Sequence, residues 1–195
     1  MKLSFIILVL ILSLQSWAKA DDISDFQIEG MSIGDSLLDY MNEKTIKKEI
    51  NNKDITMYYE NKYVSISTWD IRNKFKTYDD VGVIFNPQDK KYIIVSLEGT
   101  LYFTSPKINK CYKKQNQIIN EIKNSLSISF EEDTWFVDKT NLESDENSIR
   151  YIDLNLKNHF ENGAIRVICY DIKGDDNILY VVLDSPEFLK YIENR

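Results

Sequence analysis

Cys111, Cys169, the single histidine His159 and a surplus of carboxylates are the residues of this chain with the means to do chemistry. Two cysteines make an even count, and in an oxidising compartment an even count predicts a disulfide. Cys111 falls on the apolar stripe of a helical pattern and Cys169 in the middle of an apolar run of strand period, so both point toward a core. Bridging them closes a loop of about 60 residues, worth roughly 4 kcal/mol by loop entropy. The alternative is two separately buried thiols acting as small core residues. A metal site is hard to build, because zinc recruits three or four Cys, His or carboxylate ligands and only one histidine is present. The stretch Asp171-Ile172-Lys173-Gly174-Asp175-Asp176-Asn177 has a calcium-like composition. However, Lys173 stands where an EF-hand loop needs an oxygen donor and no Glu follows at the required spacing, so it reads as a hairpin turn.

Nucleophilic catalysis finds no Gly-x-Ser-x-Gly, and His159 sits beside the Asn162-Gly163 turn, an exposed and idle position. Paired carboxylates run acid–base chemistry without histidine in glycoside hydrolysis. Glu131, Glu132, Asp133, Asp79 and Asp80 are available for it, but in a chain with 31 acidic residues such runs read as solvated surface. No glycine-rich phosphate loop is present, and no catalytic residue, metal ligand or cofactor is assigned. Trp69 and Trp135 adjoin acidic or loop residues, where an amphipathic ring anchors a ligand or protein partner, and they are the binding candidates. The other reading for both is partial burial at a sheet edge.

The elements that must position these residues follow from period and caps. Ser32 or Asp35 is expected to cap a short helix with Ile33, Leu37, Leu38 and Met41 on its apolar face, and Asn42 a second with Ile46 and Ile50. From Ile55 the period becomes two, predicting strands over 55–59, 64–68, 81–85 and 92–103, with Gly99 marking a bulge in the last. Ser105-Pro106 then opens the clearest helix, through Ile108, Cys111, Gln115, Ile118, Ile119, Ile122 and Leu126. Residues 131–148 read as a long acidic connection holding one short strand at Trp135-Phe136-Val137. Strands over 149–156 and 164–172 pair across Asn162-Gly163, a further strand spans 178–184, and Ser185-Pro186 starts a last helix.

Segments 62–126 and 149–193 share the order strand, strand, turn, strand, Ser-Pro, helix. The fold class expected is therefore α+β in one domain, 21–195, a mainly antiparallel sheet with helices on one face. The shared order suggests a duplicated βββα unit, against the alternative that it arises by chance. In the duplicate, both Ser-Pro helices would cross the same face and leave the other free for a partner.

Residues 1–20 run Lys2, an apolar stretch from Phe5 to Leu12, then Ala18-Lys19-Ala20, the pattern of a cleavable signal peptide cut after Ala20. The apolar stretch falls short of the roughly 20 residues a membrane span needs. No cysteine lies near the cut to accept a lipid, so no stable membrane anchor is expected and the product is periplasmic or secreted. Loss of Lys2 and Lys19 leaves 22 basic against 31 acidic residues, a net charge near -9. Nucleic acid and anionic membrane surfaces, which bind concentrated positive charge, are poor partners for such a chain. Ala164 is the one alanine after the cut and Lys far outnumbers Arg, the mark of an AT-rich genome. That mark and the lack of an N-glycosylation site favour a bacterial periplasm.

The run Phe26-Gln-Ile-Glu-Gly-Met-Ser-Ile-Gly-Asp-Ser-Leu-Leu-Asp-Tyr-Met41 resembles the start of a group of uncharacterised exported proteins from small, AT-rich marine bacterial genomes. Gly30-Met31-Ser32 before a short helix is similar to the opening of the outer-membrane-assembly lipoprotein family and its helix-pair-on-sheet relatives, although the lipidated cysteine of that family is missing here. The function expected is a non-enzymatic binding or envelope-interaction module for an unknown protein or small ligand; the alternative is a carboxylate-dependent envelope hydrolase. A buried cleft gathering two or more acids would favour the enzyme, and a sheet face edged by aromatics would favour binding.

Overall fold

Alternating apolar and polar residues recur along the chain, and every such run becomes a strand of one antiparallel sheet. The computed structural model describes residue 20 and residues 22–52, 57–59, 62–104, 108–138, 146–172 and 176–194. Eight strands are seen there: β1 (Met57–Tyr59), β2 (Tyr63–Ser67), β3 (Asp80–Phe85), β4 (Ile94–Phe103), β5 (Phe130–Asp138), β6 (Glu146–Leu156), β7 (Ala164–Ile172) and β8 (Asn177–Asp184). The helices are α1 (Glu43–Ile50), α2 (Ile108–Ser125), the short turn α3 (His159–Asn162) and α4 (Pro186–Glu193). Strand order is β1-β2-β3-β4-β8-β7-β6-β5, so two meanders meet along the β4–β8 pair.

Because the strand period is two, each strand splits cleanly between faces. Val64, Ile66, Val83, Phe85, Leu97, Val167, Cys169, Leu179 and Val181 form the main core with Cys111, Ile118 and Ile119 of α2. Ile46 of α1 and Ile23, Met31 and Leu37 of the N-terminal turns close the same core. Gln115, on that buried stripe, donates from its amide to the carbonyls of Arg150 (3.0 Å) and Val167 (2.7 Å), tying helix to sheet. Cys111 and Cys169 form a disulfide across this layer, with sulfurs 2.05 Å and Cα atoms 6.0 Å apart.

The α+β class, the antiparallel sheet and the main helix on one face are as expected. Other details differ. Ser36, rather than Ser32 or Asp35, caps the first turn: its hydroxyl accepts from Leu38 N–H, leaving a short 3₁₀ turn over Leu37–Asp39 with Leu38 exposed. Asn42 caps α1 as expected. Gly99 is in register with Val81 and Val181 and makes no bulge; the irregularity lies between Ile84 and Phe85. Gly99 instead seats Tyr78, whose ring would lie 2.6 Å from a Cβ there. The short strand expected at Trp135-Phe136-Val137 extends to β5, nine residues long and paired with β6 from Phe130↔Leu156 to Asp138↔Ser148, because the β-branched and aromatic run Thr-Trp-Phe-Val favours a strand despite the local charge. The Ser105-Pro106 cap and the middle of the calcium-like turn, 173–175, lie outside the described residues.

Both halves carry a meander followed by a helix, and strands 81–103 and 164–184 join in one sheet through β4 and β8. The two helices do not share a face. α2 packs on the main core, whereas Phe188 of α4 packs on Tyr63 and Val95, beside Ile84, at the end of the opposite face. A two-fold through the β4–β8 pair, normal to the sheet, would have kept both on one side; the expectation that both Ser-Pro helices cross the same face is corrected.

Candidate functional site

Four strands each place a charged residue on the face away from α2, among apolar neighbours. Glu98 of β4 is in register with Val182 of β8, Val182 with Arg166 of β7, and Arg166 with Asp153 of β6. Asp184 lies two residues along β8 from Val182 and opposite Ser96. Burying charge this deeply is tolerated only with partners. Asp184 has them: Ser96 Oγ donates to Oδ1 at 2.6 Å, and Arg166 donates from Nε at 3.1 Å and from a terminal nitrogen at 2.5 Å to Oδ2. Above this pair opens a cavity of about 340 Å³, walled by Ser65, Gly82, Glu98, Arg166, Asp184 and the apolar side chains of Ile84, Ile168, Val182, Phe188 and Ile192.

The surplus of carboxylates shows in their protonation. Burial, reinforced by the negative charge of Asp184, pushes the Glu98 carboxyl up to about 7, although Arg166 opposes the shift. Burial likewise pushes Asp153 up to about 6 against the pull of Arg166, with Asp184 and Asp133 adding to the rise. Beside the cavity the same face turns aromatic. Ile149, Ile168 and Val182 are shielded from solvent by Tyr151, Tyr170 and Tyr180, and Tyr170 meets Tyr180 edge to face at 5.4 Å. Trp135 stacks on Tyr151 at 5.1 Å and remains 43% exposed; Tyr102, across the face, is 48% exposed.

Of the two binding candidates, Trp135 thus lies on this face, on strand β5. Trp69 opens the 3₁₀ turn Trp69–Lys74, and its side chain is outside what is described. The candidate acids do not come together. Glu132 pairs with Lys123, Asp133 accepts from Asn155 at 3.3 Å, Asp79 accepts from the Tyr102 N–H at 2.8 Å, and Asp80 accepts from Ser67 Oγ at 2.9 and 2.8 Å. His159 lies in α3 with Nε2 3.6 Å from Glu193 Oε1, at the rim of an open groove beside Ser129 and Asn155.

Sequence reasoning missed Glu98, Arg166 and Asp184. The available signal was a charged residue inside each of three apolar strands, Val-Ser-Leu-Glu-Gly, Ala-Ile-Arg-Val-Ile and Val-Val-Leu-Asp, a pattern that demands partners across strands. Among the described residues, no three His, Cys, Asp or Glu side chains gather as metal ligands would. Compared with protein-family models, with curated proteins and with solved structures, the chain matches none of them.

Proposed function

We propose that this chain is an exported binding module that takes its ligand on the sheet face away from α2. One observation carries the reading: a polar-floored cavity and a row of partly exposed aromatics share that face, and no described helix beyond α4 at its end lies over it. Concave sites with apolar walls and a few convergent polar groups are where small ligands bind. The leader-like residues 1–20 and the disulfide support an oxidising, extracytoplasmic address. No described helix is long and apolar enough to cross a membrane.

A carboxylate hydrolase needs an acid and a second carboxylate free to act as base or nucleophile. Glu98, near 7, has the protonation of an acid. Asp184 borders the cavity but has both oxygens held by Ser96 and Arg166, and Asp153 is not among the residues lining it, so neither stands free as base or nucleophile. Binding is therefore the better supported reading.

The test is recovery of ligand or partner from envelope extract by wild type and by Trp135→Ala and Tyr151→Ala, with thermal midpoints recorded in parallel. The expected outcome is at least a tenfold loss of the recovered species with the fold retained, as for removal of an aromatic hot spot. Variants that fold and leave every captured species intact would sink the reading and favour the hydrolase.

A further inference from the structure

Among the groups lining the cavity, carboxyls outnumber cations, Glu98 and Asp184 against the single guanidinium of Arg166. Arg166 and Ser96 are engaged with Asp184, and Ser96 Oγ, having given its proton, turns only lone pairs to the space. The Glu98 carboxyl makes no hydrogen bond among the described residues. Asp153, opposite Arg166 on the same face, is 8% exposed, and its Oδ1 is buried without a partner. Three carboxylates thus surround one guanidinium, and buried acceptors left unpaired are unfavourable. Gly82 keeps the space over Glu98 open: a Cβ there would stand 3.7 Å from Glu98 Cβ and Oε1.

We propose that the cavity takes an organic monocation, a primary ammonium on a small apolar body, with its N–H groups on the Glu98 carboxylate and its body against Ile168, Val182 and Phe188. The inference rests on the reading of this face as a ligand site and adds the class of the ligand. An anion would meet the Glu98 and Asp184 carboxyls beside a guanidinium whose charge is already matched by Asp184. A neutral hydroxyl compound would leave the charge imbalance in place. A bare metal ion would want several oxygen ligands together, which the described residues do not gather, and the apolar walls offer nothing to a hydrated ion. A cation seated beside Glu98 would offset the burial that raises its carboxyl. A cavity of about 340 Å³ accommodates a body of roughly ten heavy atoms, since ligand pockets begin near 300 Å³.

The experiment is isothermal titration of the full chain at pH 8 with three probes of closely similar size: phenethylammonium, neutral 2-phenylethanol and anionic phenylacetate. The proposal expects phenethylammonium to bind at least tenfold more tightly than either control. It also expects Glu98→Gln to weaken phenethylammonium at least tenfold. Gly82→Ala and Gly82→Val change no charge and adopt the strand backbone without strain, so they are expected to weaken binding in order of size by filling the space beside Glu98; they carry the test if Glu98→Gln fails to fold. Equal binding of the ammonium and the alcohol, or unchanged affinity in the Gly82 series, overturns the proposal. If the alcohol or the anion binds best and Gly82→Val blocks it, the cation falls while the ligand face stands. If no probe binds, the cation falls, and the Trp135→Ala recovery decides the broader reading on its own.

Discussion

Glu98 and Arg166 show how one residue's surroundings set its energetics. The folded chain holds the Glu98 proton up to about pH 7, whereas an unperturbed carboxyl releases it near 4.5. Between those values the folded state binds more protons than the unfolded one, so stability falls as pH rises through the window. Asp153 adds the same sign between 3.8 and about 6. Urea unfolding is expected to give a wild type less stable at pH 8 than at pH 5 by on the order of 2–3 kcal/mol, and Glu98→Gln is expected to remove much of that difference. An unchanged slope would mean that Glu98 ionises normally. Arg166→Met leaves Asp184 buried with one partner fewer, and its expected destabilisation is about 3–5 kcal/mol, the cost of an orphaned buried charge. Arg166→Met with Asp184→Leu should recover part of it, which a double-mutant cycle measures. At this scale the site was legible only as charge in unlikely places. That Arg166 meets Asp184 depends on the register in which β7 pairs with β8, which the 171–177 turn does not state.

Elements were easier to read than their contacts. Asn42, Ser185 and Pro186 are helix signals with a local mechanism, a side-chain acceptor or a pre-set φ, and they lie where the caps and starts are. β5 runs longer than the short strand expected at Trp135–Val137, because Glu131, Glu132 and Asp133 look like a solvated loop; on an edge strand with an exposed face, acids are compatible with pairing and discourage further edges. Gly99 was noticed for the wrong reason. Its missing side chain serves Tyr78 rather than a bulge, so Gly99→Ala should destabilise by about 1–3 kcal/mol through overpacking. Combining it with Tyr78→Leu should recover most of the loss, as read by thermal unfolding; no recovery would mean that backbone effects dominate.

At the scale of the molecule, class and disulfide were legible, because burial patterns and cysteine count act over the whole chain. The sidedness of α4 was not, since it depends on where the β4–β8 pair delivers the chain. The disulfide spans a sequence separation of 58, so Cys111→Ser with Cys169→Ser is expected to lower stability by roughly 4 kcal/mol in denaturant titration. Two thiols labelled in oxidised, denatured wild type would instead deny the bridge. Ala20 is buried, with its N–H on Ser125 O at 2.8 Å and its carbonyl accepting from Ser127 at 3.0 Å. Sequencing of protein from the envelope is expected to begin at Asp21, which removes that tie with the leader; a start upstream would retain it and refute the cut.

The meeting of the two meanders sets the order in which this chain completes itself. β4 is paired on one side with β3, while its other partner, β8, follows only after α2, β5, β6 and β7 have been made. Loop-closure entropy makes such distant pairings late. While the ribosome is still working, the first meander therefore carries an open central edge and half a core, with Cys111 lacking Cys169. A chain in that condition has no closed core, and the sheet closes from its middle only once both halves have been made.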